Sequence, residues 1–139
     1  MIENVNVRRN WEECPRDPAK SRWTTLYATL NPLGELSLSK FTHEQLGAPS
    51  GYVLLFDRDR EVIGMRPANP TVERNAYPAA TRGRHGGQRV HAHRMCREFG
   101  VQINETVRFH HCQIDHNGIL ILDMKDTIPA RGHSKRNRW

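Results

Sequence analysis

The sequence predicts an α+β fold that is mostly β, built from two strand-helix-hairpin units. Three observations lead to this prediction. Apolar runs of strand length alternate with short helical stretches, each helical stretch ends at a glycine, and this order occurs twice along the chain. The chain has 139 residues, which is enough for one compact domain or for two very small units that share a core.

The N-terminal arm and the start of the first unit have different patterns. Residues 1–23 show neither the period of a strand nor that of a helix, so we expect an irregular arm. The first unit spans residues 24–67. Residues 24–30 are β-branched and aromatic, and the sequence Asn-Pro-Leu-Gly at 31–34 favours a type I turn. The alternating residues 35–39 predict a half-buried strand.

The rest of the first unit predicts a short helix followed by a hairpin. Ser39 is a suitable N-cap for a helix over residues 40–46, and Gly47 supplies the left-handed residue that ends it. The elements of the hairpin are an apolar strand at 51–56, a charged turn at 57–60 and a return strand at 61–65.

The same order returns after a basic linker or loop over residues 68–88, which is rich in Pro, Gly, Asn and Arg. The second unit spans residues 89–126. Its predicted elements are a strand at 89–91, a helix over 92–99 ending at Gly100, and a hairpin with strands at 105–114 and 119–124 around a turn at 115–118. A basic tail, residues 127–139, follows.

The spacing of the two units suggests an internal duplication. Leu46 and Phe99 are 53 positions apart, as are Gly47 and Gly100. We therefore expect the two helix ends to superpose, with Leu46 and Phe99 both buried. The alternative is one α+β domain with two unrelated hairpins.

The first unit resembles the swapped-hairpin DNA-binding domains of the AbrB type. Their motif has a strand, a short helix ending in Leu-Gly, a turn, a hydrophobic strand, an acidic turn and a closing strand. The positions that carry the resemblance are Gly34, Leu36, Leu38, Leu46, Gly47, Pro49, Val53, Leu55, Asp57 and Ile63. Two units in one chain are similar to the MraZ arrangement. The resemblance implies a swapped-hairpin-like barrel and a DNA-binding transcriptional regulator.

Positive charge is concentrated between the two units and in the tail. Between Arg66 and Arg97 the chain has seven arginines and one acid, whereas the first unit is net acidic. Arginine forks onto phosphates and guanine edges. The candidate nucleic-acid-binding residues are Arg82, Arg84, Arg89, Arg94, Arg97, Arg131, Lys135, Arg136 and Arg138. The alternative is a solvated basic loop and tail that only aid solubility.

We therefore expect a DNA-binding transcriptional regulator or architectural protein, with DNA favoured over RNA as the partner. A homo-oligomer is compatible with this function. The main alternative is a protein-interaction module, such as an antitoxin-like or phage-encoded inhibitor whose hairpin edges pair with a partner strand.

A third alternative is a metal-site protein that uses the histidines and cysteines of the second half. His91, His93 and Cys96 have spacings that one helical turn brings together, and His110 and Cys112 would share one face of a strand. His111 would then point the other way. Because the paired Cys-x-x-Cys motifs of structural zinc sites are missing, we expect no metal and no cofactor.

We also expect a non-enzyme, because the sequence has no phosphate-binding P-loop and no paired-carboxylate signature. Cys14, Cys96 and Cys112 cannot all pair with one another, which favours a reducing cytoplasm. No run approaches the roughly 18 consecutive apolar residues of a membrane span, so we expect no membrane association.

Overall fold

The computed structural model of the protein describes residues 8–13 and 25–130. In these residues the chain forms eleven strands and two helices, which confirms an α+β fold that is mostly β. The elements are β1 (Ala28–Leu30), β2 (Glu35–Leu38), α1 (Lys40–Gln45), β3 (Gly51–Asp57), β4 (Val62–Ala68), β5 (Ala76–Pro78), β6 (Ala80–Arg82), β7 (Gly87–His91), α2 (His93–Phe99), β8 (Val107–Phe109), β9 (Gln113–Ile114), β10 (Leu120–Asp123) and β11 (Thr127–Pro129).

The strands form two antiparallel sheets. The six-stranded sheet has the order β11-β8-β1-β2-β7-β6, and the five-stranded sheet has the order β5-β3-β4-β10-β9. Each sheet has two edge strands, so the described residues form open sheets rather than the closed barrel that the resemblance implies. Side chains from both sheets, from α2 and from Leu46 directly after α1 meet in one core, which includes Leu36, Tyr52, Met95, Phe109 and Leu122.

The local signals for the first turn and for both helix ends are confirmed. The N–H of Gly34 donates to the carbonyl of Asn31 at 2.9 Å, closing the turn between β1 and β2. Ser39 caps α1 by accepting a hydrogen bond from the N–H of Thr42. Gly47 and Gly100 follow the two helices with φ of +90° and +69°, the left-handed conformation that favours glycine. Neither helix of the described ranges is long and apolar enough to cross a membrane.

Corresponding parts of the two units are neighbours in both sheets. β2 pairs antiparallel with β7 in one sheet, and β4 pairs antiparallel with β10 in the other. Leu46 is buried as expected, but Phe99 is only half-buried and packs against Phe56 with ring centroids 5.0 Å apart. The internal duplication stays a prediction.

Three predicted segments differ in the structure. The expected linker or loop at 68–88 contains β5 and β6, which are held by pairing with β3 and β7 at the sheet edges. The expected tail contains β11, which pairs with β8. The expected strand at 105–114 is divided, because β8 pairs with β1 in the six-stranded sheet while β9 pairs with β10 in the other. Residues 110–112 carry the chain between the sheets. Of the expected arm, 8–13 is exposed and irregular, and the rest lies outside the described residues.

Gly34 makes a close backbone contact with the second unit. Its carbonyl accepts a hydrogen bond from the N–H of Ala92 at 2.7 Å, directly before α2. A Cβ on Gly34 would lie 2.8 Å from Cα of His93, and the residue has a φ of +83°. The position therefore combines a left-handed backbone with no room for a side chain.

We expect Gly34→Ala to destabilise the protein more than Gly47→Ala. Both substitutions put Cβ into a left-handed backbone, which costs about 1–2 kcal/mol. Only the Gly34 substitution also meets a backbone atom, since a Cβ on Gly47 has nothing within 4 Å. The additional cost should be about 1–3 kcal/mol, measured as the difference in unfolding free energy by urea denaturation. Equal losses of unfolding free energy in the two variants would contradict the close packing of Gly34 against His93.

A buried polar pair connects α1 to β3. Nδ1 of His43 lies 2.7 Å from the hydroxyl of Tyr52, and both side chains are buried. Burial lowers the pKa of His43 from its usual value of 6.5, an effect that neighbouring Glu44 partly opposes. Burial also raises the pKa of Tyr52 well above its usual range. The folded protein therefore favours a neutral imidazole.

The lowered pKa of His43 predicts a loss of stability in acid. The unfolded chain takes up a proton at His43 below pH 6.5, whereas the folded chain resists it until a lower pH. The unfolding free energy should be highest above pH 6.5 and fall below it, by at most about 1.4 kcal/mol per pH unit. In His43→Gln this component should disappear, while His116→Gln, in the exposed β9-β10 turn, should keep it. Parallel pH profiles for the protein and His43→Gln would contradict the prediction.

Candidate nucleic-acid interface

The outer face of the six-stranded sheet carries a row of polar residues. Strand register aligns Arg108 with Thr29, Thr29 with Ser37, and Ser37 with Arg89. Their chain neighbours, such as Leu30, Leu36, Val90 and Phe109, point into the core and are buried. Because side chains alternate along a strand, this row faces away from the core.

A groove of about 260 Å³, here called the basic groove, lies on this outer face. Its polar lining includes the hydroxyl-bearing residues Tyr27, Thr29, Ser37 and Ser39 and the basic residues Lys40, Arg82, Arg84 and His85. No acidic residue lines it among those that the structure describes. Hydroxyl and guanidinium groups without a carboxylate among them form a suitable surface for an anion, and phosphate in particular.

The β6-β7 hairpin forms one wall of the basic groove. Arg82 and Gly87 are paired across the hairpin, and Gly83 and Gly86 allow the turn through positive φ values of +76° and +78°. Arg82 and Arg84 are exposed, and within the described ranges neither lies within ion-pairing distance of a carboxylate. This hairpin presents two available guanidinium groups on a narrow two-stranded ribbon.

Lys40 reaches the basic groove from the first unit. A Cβ on Gly86 would lie 3.0 Å from Cδ of Lys40, so the aliphatic part of the lysine packs against the hairpin turn. The ammonium group lies 3.8 Å from the carboxylate of Glu44, and both side chains are exposed. Exposed ion pairs of this kind contribute little and are easily exchanged.

Arg89 is engaged in a different way from Arg82 and Arg84. Its guanidinium lies 3.5 Å from the carboxylate of Glu35, which also lies 3.4 Å from Nδ1 of His91. The side-chain amide of Asn31 donates to Glu35 at 2.8 Å, and this bond, with the charges of Arg89, His91 and Arg82, holds the pKa of Glu35 below its usual range. Arg89 therefore connects β7 to β2 rather than pointing freely to a ligand. Arg66 is similarly engaged, by two hydrogen bonds to Glu73.

The two sequence-predicted arginines of α2 lie away from the basic groove. Arg94 and Arg97 are exposed on α2 but line two separate grooves, the first shared with Arg74 and Tyr77 and the second with Asn31 and Gly100. The tail residues Arg131, Lys135, Arg136 and Arg138 lie outside the described residues.

Sequence reasoning missed two basic residues of this face, Lys40 and Arg108. Arg108 lies over the ring of Tyr27, with its guanidinium carbon 5.3 Å from the ring centroid. The alternation of Val107, Arg108 and Phe109 is the signal that would have placed this arginine opposite the core. Lys40, by contrast, becomes part of the surface only through the fold.

The cysteines and histidines do not form the cluster that their spacing suggested. Within the described residues, the group whose ligand atoms come together is His110, His111 and Asp126. His111 was expected to point away from His110, but the chain bends at this point and both rings reach Asp126. Burial raises the pKa of Cys96, and it raises that of Cys112 to about 11, so both thiols remain protonated near neutral pH.

Comparison of the chain with known proteins identified no relative. No protein-family model, no curated protein and no solved structure matches the chain.

Proposed function

We propose that this protein binds DNA through the outer face of its six-stranded sheet, as a transcriptional regulator or an architectural protein. The observation that carries the proposal is the basic groove. It combines Arg82 and Arg84, which form no ion pair within residues 8–13 and 25–130, with Lys40 and a set of hydroxyls, and no carboxylate is found in its described lining. Phosphate oxygens are the acceptors that this set of donors recognises.

The β6-β7 hairpin supports duplex DNA as the partner. A two-stranded β-ribbon fits the major groove of B-DNA, whereas the major groove of an RNA helix is too deep and narrow. Arg82 and Arg84 lie at the exposed end of this ribbon, where a guanidinium can bind a phosphate or the edge of a guanine. Arg108 and Lys40 would contact the flanking backbone.

The proposal extends to the architecture of the two units. The antiparallel pairing of β2 with β7 and of β4 with β10 brings corresponding strands together, as in a swapped-hairpin pair made from one chain. This arrangement supports, for both units together, the resemblance to AbrB-type domains. In this protein Arg82, Arg84 and His85 of the groove come from the segment between the units, and the first unit contributes Lys40.

We expect the double variant Arg82→Ala with Arg84→Ala to bind DNA more weakly and with a lower salt dependence. Each lost phosphate contact reduces the slope of log affinity against log salt by about 0.9, so the slope should fall by about 2. The measurement is fluorescence anisotropy with duplex DNA, single-stranded DNA and RNA at several salt concentrations, and duplex DNA should bind most tightly.

A matched control is Arg58→Ala with Arg60→Ala, which removes two exposed arginines from the β3-β4 turn. Arg60 is paired with Asp57 at 3.2 Å, and this turn contributes nothing to the basic groove. Its DNA affinity should stay close to that of the parent protein.

Truncation after residue 130 should weaken binding without changing sequence preference. Unchanged binding of every nucleic acid by the first variant would reject the proposal and favour the protein-interaction module.

A further inference from the structure

We propose that His110, His111 and Asp126 bind a divalent transition-metal ion of the Zn²⁺ class. The site is separate from the basic groove and does not depend on DNA binding. One ligand atom of each residue lies within 4.8 Å of the others, so the three side chains surround a common point. The two histidines come from the segment between β8 and β9, and the aspartate comes from the turn before β11.

The fold fixes the two segments against each other. The backbone N–H of His110 donates to the carbonyl of Asp126 at 2.9 Å, and β8 pairs with β11 immediately beyond this bond. Ligands held by strand pairing need less ordering when an ion binds, which favours binding. The side chains themselves are partly exposed, with 45% and 70% of the surface of His110 and His111 accessible, so an ion can enter from solvent.

The orientation of the donor atoms is suited to a shared ion. Nδ1 of His111 lies 2.6 Å from one carboxylate oxygen of Asp126, and Nδ1 of His110 lies 3.5 Å from the other. Tetrahedral zinc with bonds of about 2.0–2.1 Å separates its ligand atoms by about 3.4 Å. A small movement of His111, with its ring proton moving from Nδ1 to Nε2 through exchange with solvent, replaces its hydrogen bond to Asp126 by two bonds to the ion.

The chemistry of the donors selects the type of metal. Two imidazoles favour Zn²⁺ and the neighbouring transition metals, whereas Mg²⁺ and Ca²⁺ prefer oxygen ligands. Three protein ligands leave a fourth position for water. Arg108 lines the same open groove as the two histidines, and its positive charge weakens the site. We therefore expect a moderate affinity rather than the tight binding of a thiolate site.

Zinc titration of untagged, chelator-treated full-length protein tests the proposal. Isothermal titration calorimetry with ZnCl₂ should give about one equivalent per chain, and Zn²⁺ should raise the Tm while MgCl₂ should not. His111→Gln and Asp126→Asn should weaken Zn²⁺ binding more than about tenfold. Both substitutions are at partly exposed side chains, and circular dichroism of the variants verifies that they fold.

Two control variants separate this site from other histidines and cysteines. His116→Gln, in the exposed β9-β10 turn, and Cys112→Ser should both keep the ion. With Co²⁺ as a substitute, the absorption spectrum should show no thiolate charge-transfer band. Absence of stoichiometric Zn²⁺ binding would overturn the proposal, as would full binding by Asp126→Asn or loss of the ion in Cys112→Ser. None of these results depends on DNA, so the two proposals fail independently.

Discussion

The pairing of β2 with β7 is the interaction on which the rest of the structure depends. It joins the first unit to the second within the six-stranded sheet, where Leu36 lies opposite Val90 and both are fully buried. On the opposite face Glu35 and Arg89 form an ion pair across the same two strands. A shift of one residue would exchange these two faces, because successive side chains alternate. Burial of Leu36 and Val90 therefore fixes the register, and the register decides which residues face solvent.

The candidate interface follows from that register. Among the described strands β6 pairs with β7 alone, so the β6-β7 hairpin reaches the outer face because β7 is paired with β2. Arg82 and Arg84 then come close to Thr29, Ser37 and Lys40, which are distant from them in the chain. Lys40 of the first unit thereby joins two arginines of the segment between the units on one surface. The same pairing directs Arg89 to Glu35 and takes it out of the set of available cations.

The division of the segment between residues 105 and 114 into two strands brings two histidines close to a distant carboxylate. Continuous strand would place His110 and His111 on opposite faces. Phe109 of β8 is buried in the core from one sheet, whereas β9 pairs with β10 of the other sheet, which carries the buried Leu122. The chain therefore bends between β8 and β9. The bend turns both imidazoles towards Asp126, which β11 brings alongside β8. A candidate metal site thus arises where the chain crosses from one sheet to the other.

The sequence by itself determined the local elements of this protein: the Asn31-Gly34 turn, the Ser39 cap, the glycines after both helices, and the mostly β character. Each depends on groups within a few residues of one another, so a short stretch of sequence contains all the steric and hydrogen-bonding interactions that form it. Only the tertiary structure decided which strands are neighbours, which arginines remain unpaired and which histidines meet a carboxylate. Those outcomes depend on burying a shared core between distant segments. The short edge strands β5, β6 and β11 have no strong local signal, because their stability comes from the strands with which they pair.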